Sequence, residues 1–180
     1  MEYVIGIIAY ILYFMYDYNS IHKQRKILKS FFLLGTILLV GSTVYATVKY
    51  FKYSNIMIIL TSSICGLLFL ALLIYTLFFA IPFDSTYVYQ SEGRLAYTKG
   101  MYSVCRHPGM LWFLGLYICL SVLTYNPIGI WFYGLMILGD LFYIIYQDYY
   151  IFPLTFVNYA EYKKTTPFLI PFLKRRKHND

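Results

Sequence analysis

Between Ile56 and Ile81 the chain carries no charged side chain. A segment of that length exceeds the roughly 20 residues a helix needs to cross a hydrocarbon core of about 30 Å. A lipid environment would then leave only a helix, because every backbone N–H and C=O must find its partner within the segment. Four further apolar runs accompany it: Tyr3–Tyr16, ended by Asp17; Phe31–Val48; Met110–Tyr125, closed by Asn126-Pro127; and Ile128–Tyr146. The reading is an all-α membrane protein, a single domain of about five spans over 3–16, 31–48, 56–81, 110–125 and 128–146, with a cytoplasmic C-terminal helical segment. Composition agrees: only 13% of residues are charged and 60% are hydrophobic, where a soluble domain carries about 25% charge.

Basic residues set the expected sidedness. With five spans, Lys23, Arg25, Lys26 and Lys29, then Arg94, Lys99 and Arg106, then Lys163, Lys164 and Lys174-Arg175-Arg176-Lys177 share one side, and only Lys49 and Lys52 fall on the other. The positive-inside rule places the basic side in the cytoplasm and the N-terminus outside. This bias accounts for the net charge of +7 with no nucleic-acid partner. The basic C-terminal run reads either as a contact with anionic headgroups or as a solvated tail. No basic n-region or small-residue cleavage site marks a signal peptide, so the first run is expected to stay as a span. Cys65, Cys105 and Cys119 have no paired spacing, against a disulfide framework or a zinc site.

The chemistry-bearing residues gather in two places. Gly100-x-Tyr102-x-x-x-Arg106-His107-Pro108 follows a polar stretch, Asp84 to Gly100, and opens the fourth span. Gly100 permits a tight bend, and Pro108 suits a first helical turn, where its missing N–H goes unmissed. Arg106 and His107 then stand at a helix N-terminus, which favours a carboxylate or phosphate. Arg106 adds a planar donor fork, and His107 can exchange a proton near neutral pH. The plainer reading is a snorkelling arginine and a capping histidine. The second place begins with Asp140 inside the fifth span and Asp148 at its end. Intramembrane acids face the bundle interior and are functional candidates, or serve as structural hydrogen-bond partners. Pro153 is expected to interrupt or bend the chain. Leu154–Lys164 reads as a short surface helix with Tyr159 and Tyr162 on one face, and Pro167 and Pro171 frame an apolar stub.

These two blocks together resemble the integral-membrane methyltransferases, which include the isoprenylcysteine carboxyl methyltransferases and the phospholipid N-methyltransferases. The second block is similar to that family's C-terminal one in Gln147-Asp148, Tyr159-Ala160-Glu161-Tyr162 and Pro167–Pro171. The resemblance covers residues 95–172. It implies S-adenosylmethionine as methyl donor, held in a cytoplasmic pocket by Gly100, Tyr102, His107, Pro108, Tyr159 and Tyr162. It further implies that Arg106 and Asp148 are catalytic, where cofactor meets acceptor. The acceptor would be lipophilic or amphipathic and reached from the membrane bilayer. The chain departs from the family pattern at Met110, Trp112 and Gln147, where Tyr, Gly and an acid are usual. Steroid 5α-reductase-like enzymes, which use NADPH, resemble the Arg-His-Pro region too, but Gly109-Met110 and Phe113 break their pattern. A non-catalytic relative is the third reading.

Overall fold

The computed structural model describes residues 1–23, 25–52, 55–80 and 94–170. Among these residues the structure is helical, with no strand. Helix α1 spans Glu2–His22, α2 Phe31–Tyr50, α3 Ile56–Phe78, α4 Pro108–Thr124 and α5 Pro127–Tyr146. A π turn, Gln147–Ile151, carries α5 directly into α6, Phe152–Thr155, and α7, Tyr159–Thr165, comes next. Four helical segments are long and apolar enough to cross a bilayer. The fifth, α4, is apolar but has 17 residues, about 25 Å at 1.5 Å per residue. The all-α membrane bundle expected from the sequence is therefore the observed architecture.

Helix ends differ from the runs read off the sequence. Asp17 does not stop α1. The helix continues to His22 because Asp17 is buried against α5, where Gln147 Nε2 donates to its Oδ2 at 2.8 Å. Pro108, at the first position of α4, starts that helix two residues early. Asn126 caps α5 by accepting from the amides of Ile128 and Gly129, and Pro127 fits the first turn of that helix. At the other end Pro153 breaks nothing, since it lies in the first turn of α6. The expected helix over 154–164 is two short helices, parted by extended Phe156. Of the features expected from the sequence, Ile81, Pro82, the polar stretch from Asp84, Pro171 and the basic run 174–177 lie outside the described residues.

Helices α1, α2, α4 and α5 enclose an aromatic core built on Tyr10, Tyr13, Phe113, Tyr117, Phe132 and Tyr133. Tyrosines suit it because each ring fills volume while its hydroxyl reaches a partner: Tyr10 donates to Met136 O, and Tyr117 and Tyr133 meet Thr43 and Thr47. Helix α3 lies along α4, with Phe69 seated over Gly115 and stacked on Trp112. The rest of α3 presents an apolar surface, as a lipid-facing helix should. Glu2 joins Lys49 and Tyr50 at one end of the bundle, with Tyr3 bonded to Ile128 O. At the other end, His22 meets Tyr150 and Arg106 meets Asp148. The segments following α1, preceding α4 and following α5 thus share one end.

A methyl added at Gly115 would stand 2.6 Å from the Phe69 ring, whereas one at Gly66 would meet only Cys119 at 3.5 Å and Leu116 at 3.9 Å. Gly115→Ala should lower stability by about 1–2 kcal/mol, the overpacking cost outweighing the helix-propensity gain. Gly66→Ala should be neutral or stabilising. Thermal unfolding in detergent checks the pair.

Candidate functional site

The site is built around the Asp148 carboxylate, which is fully buried in the π turn that ends α5. A π turn inserts an extra residue into the helical ladder and so shifts the direction in which its side chains point. Here it turns Gln147 toward Asp17 of α1 and Asp148 toward the start of α4. Arg106 grips the carboxylate with both arms of its fork, Nε to Oδ1 at 2.7 Å and Nη2 to Oδ2 at 3.1 Å. Its Nη1 donates to the carbonyls of Thr166 at 2.5 Å and Lys163 at 3.3 Å. Tyr159 donates its hydroxyl to Oδ1 at 2.5 Å, and the Lys163 ammonium stands 3.0 Å from Oδ2. His107 Nε2 lies 3.3 Å from Oδ1.

The C-terminal block is strapped to the same place by backbone. The amides of Arg106 and His107 donate to the carbonyls of Pro167 and Phe168 at 3.0 and 3.3 Å. Tyr162 donates to Tyr102 O at 2.5 Å, while the Tyr102 hydroxyl donates to Thr76 O on α3. Asn158 brackets Ala96 through both its amide N–H and its carbonyl. Residues 94–107 and 157–168 therefore form one clasp across the mouth of the bundle.

His107 sits between aromatic rings, stacked on Phe152 at 5.8 Å and edge-on to Phe168 at 5.0 Å. Burial pushes its imidazole below the ordinary range. Asp148 pulls the other way, but Arg106 and Lys163 already neutralise that carboxylate and repel a further positive charge. The ring is then neutral at pH 7. Since Asp148 can only accept, the proton belongs on Nε2 and Nδ1 is left as an acceptor. Burial works to lower the Arg106 value, but the bonds to Asp148 outweigh it and leave it raised. Burial and then Asp148 push the Tyr159 phenol up, so it remains a donor. Burial raises Tyr102 to about 12.

Of the residues proposed from sequence, Arg106, His107, Asp148 and Tyr159 meet directly. Tyr102 and Tyr162 bond to each other beside them. Pro108 starts α4, and Gly100 takes a left-handed bend, φ 60°, with open space where a side chain would be. Sequence reading missed Lys163, Phe152 and Phe168. Lys163 was findable, because it stands four residues after Tyr159 on the same face of a helix. The two phenylalanines carried no signal within an apolar stretch. Two of the departures from the family pattern have internal partners: Gln147 bonds Asp17, and Trp112 Nε1 donates to Thr76 Oγ1 at 3.0 Å. Met110 is buried. Comparisons of the chain with family models, curated proteins and solved structures give no match.

Asp148→Ala would strand Arg106, whose side chain is 8% exposed, and should cost about 3–5 kcal/mol; Asp148→Asn, which keeps acceptor capacity, should cost less. Denaturant titration in mixed micelles measures both. His107 gives a pH dependence. Its folded value lies below the unfolded one of about 6.5, so between the two the unfolded state binds more protons. Stability should fall as pH drops below about 6.5 toward the folded value, and His107→Gln should flatten that part of the profile.

Proposed function

We propose that this chain is a membrane-embedded, S-adenosylmethionine-dependent methyltransferase acting on a lipophilic or amphipathic acceptor. One observation carries the reading. Two sequence blocks resemble the membrane methyltransferases, and their Arg106 and Asp148 lie 42 residues apart along the chain. The blocks converge on a single buried carboxylate through Arg106, His107, Tyr159 and Lys163.

The residues present suit the cofactor in chemistry. Phe152 and Phe168 beside His107 offer π faces of the kind that attract a sulfonium, and Gly100 leaves open space beside the clasp. Tyr102, His107, Pro108, Tyr159 and Tyr162 would hold the molecule together with Gly100. When bound, S-adenosylmethionine supplies an electrophilic methyl group on a cationic sulfur that departs as a neutral thioether. The protein's part is then alignment and exclusion of water. Arg106 and Asp148, bonded mainly to each other and to backbone carbonyls, act as positioning residues that fix the C-terminal block over the start of α4. His107 Nδ1, the free acceptor of a neutral ring, is the group able to take a proton from an acceptor that must lose one. Met110 and Trp112 occupy positions where the family pattern differs, and so bear on acceptor choice.

A second reading, a non-catalytic relative, draws on Gln147. In place of the usual acid it serves as a structural donor to Asp17. Methyl-labelled S-adenosylmethionine supplied to membranes containing the protein separates the two. Label should enter a lipid, protein or small-molecule fraction above an Arg106→Ala control. Folded protein that neither transfers label nor binds the cofactor supports the second reading. His107→Ala should weaken cofactor binding and Lys52→Ala, at the far end of the bundle, should not; equal binding by wild type and His107→Ala removes His107 from the site.

The site faces the cytoplasm in this reading, with the N-terminus outside. In intact cells Lys52→Cys should then react with an impermeant maleimide, and Lys26→Cys should react only after permeabilisation. The opposite labelling pattern inverts the topology.

A further inference from the structure

Helices α1 and α5 run side by side in the same direction, since Tyr10 meets Met136 and, further along, His22 meets Tyr150. On their outer side they do not close against each other. An apolar cavity of about 210 Å³ lies in the seam, with Ile7, Ile11 and Phe14 on the α1 side and Leu135, Gly139 and Phe142 on the α5 side. Ile7, Ile11 and Phe142 are exposed, so the cavity opens outward rather than into the aromatic core.

The cavity is one end of a longer track. On α1 its line continues from Phe14 through Tyr18 to His22, and on α5 from Phe142 through Tyr146 to Tyr150. From Ile7 and from Leu135 alike, the steps are four, three, four and four residues, the spacing of a single helix face. Ring contacts join the two lines beyond the cavity. Phe14 meets Tyr146 at 5.0 Å, Tyr146 stacks on Tyr150 at 5.5 Å, and Tyr18 meets His22 edge-on at 4.5 Å. Ile11 and His22 belong to one unbroken helix and lie about 16 Å apart along its axis. Half of a hydrocarbon core of about 30 Å is about 15 Å. The track is therefore as long as one leaflet is deep.

Its far end is basic. Lys23, Arg25, Lys26 and Lys29 are exposed, and no acid occurs between Tyr18 and Tyr50. The preceding acid, Asp17, is turned inward to Gln147. Asn19 holds the basic loop against α1, donating to Arg25 O and accepting from Arg25 N. At the rim, His22 Nε2 and the Tyr150 hydroxyl stand 2.8 Å apart. A neutral imidazole carries one N–H. With the proton on Nε2, the phenol oxygen accepts and its own O–H is free; with the proton on Nδ1, Nε2 accepts and Nδ1–H is free. Either tautomer leaves one donor for a phosphate oxygen.

We propose that the seam between α1 and α5 binds one phospholipid with an anionic head group, its phosphate at His22, Lys23 and Tyr150 and one acyl chain reaching to the cavity. The basic rim selects the head group by charge. The apolar lining, one leaflet's depth away, selects the chain. The site does not rest on the methyl-transfer reading, since binding alone reports it.

The test is native mass spectrometry of the full chain released from maltoside micelles. The protein is titrated with palmitoyl-oleoyl phosphatidylglycerol and, separately, with phosphatidylcholine of the same chains. The first phosphatidylglycerol should bind roughly fivefold or more tightly than phosphatidylcholine. Dihexanoyl phosphatidylglycerol, whose chains stop short of the cavity, should bind more weakly than the long-chain lipid; this comparison uses the wild type alone. Lys23→Gln should weaken phosphatidylglycerol binding by about fivefold, the effect of one basic residue at a lipid surface. Ile11→Trp, which fills the cavity, should weaken it several-fold, whereas Val40→Trp, at an exposed position on α2, should not. Equal binding of the two head groups overturns the proposal. So does undiminished binding by Ile11→Trp or of the dihexanoyl lipid, which leaves only the attraction of a basic loop for any anionic surface. A lipid-free dimer that Ile11→Trp dissociates assigns the seam to a second copy of the chain and overturns it as well.

Discussion

Asp148 is a fully buried carboxylate, and the end of the bundle that carries the motif depends on satisfying it. Removing such a group from water costs several kcal/mol, which is repaid only by near-ideal geometry and complete hydrogen bonding. A bidentate arginine, a phenol, an ammonium and an imidazole, contributed by two distant segments, meet that demand. The consequence is positional. Neither the loop before α4 nor the chain after α5 has a hydrophobic core of its own. Each supplies donors to the same two oxygens, and the backbone bonds of Arg106 and His107, the Asn158 bracket and the Tyr162–Tyr102 bond strap the two segments together beside them. Arg106 extends the hold by directing its third arm to the carbonyls of Lys163 and Thr166, so one guanidinium ties the carboxylate and the backbone of the C-terminal block together. Arginine is required for this, since a lysine could not fork to both oxygens and still reach a carbonyl.

The π turn makes the arrangement possible. Gln147 and Asp148 are adjacent, but they serve different helices: one donates to Asp17 on α1, the other accepts from Arg106 before α4. The turn thus joins the α1 contact to the clasp. The amide at position 147 is well matched to this. A second carboxylate there would face Asp17 directly, and two like charges in a buried pocket cannot both stay ionised. Glutamine at this position is therefore explained by what it touches, whatever the protein's activity.

Hydropathy made the spans legible and their ends illegible, for a physical reason. Apolar length reflects lipid thickness, which every span must match, so α2 and α3 lie close to where their runs place them. Ends depend on caps and polar partners from other elements. Asp17 reads as a stop until Gln147 is brought beside it, and Pro153 reads as a break until it lies in the first turn of a helix. The site was legible to the same degree. Arg106, His107 and Asp148 are expensive residues in an apolar chain and announce themselves, as does the Tyr159/Tyr162 pair by spacing. Lys163 was marked only by its four-residue spacing from Tyr159, and Phe152 and Phe168 were hidden among other apolar residues, because their roles arise only from the fold. The protonation of His107 was not legible at all. From sequence it is a group that titrates near neutrality, whereas in the clasp the neighbouring Arg106 and Lys163 leave no need for a third positive charge.

The same accounting of partners separates the acids of this bundle by purpose. An acid whose oxygens are filled by its own chain is complete, and its burial serves assembly: Asp17 locks α1 to α5, and Asp148 closes the clasp. Glu2 ties the start of α1 to the end of α2 through Lys49 and Tyr50, in the one region where the sparse basic residues of that end occur. Asp140 has neither a partner among the described residues nor a place at an end. Packing alone would favour a leucine there, since α5 already presents Met136 and Ile144 on either side of it.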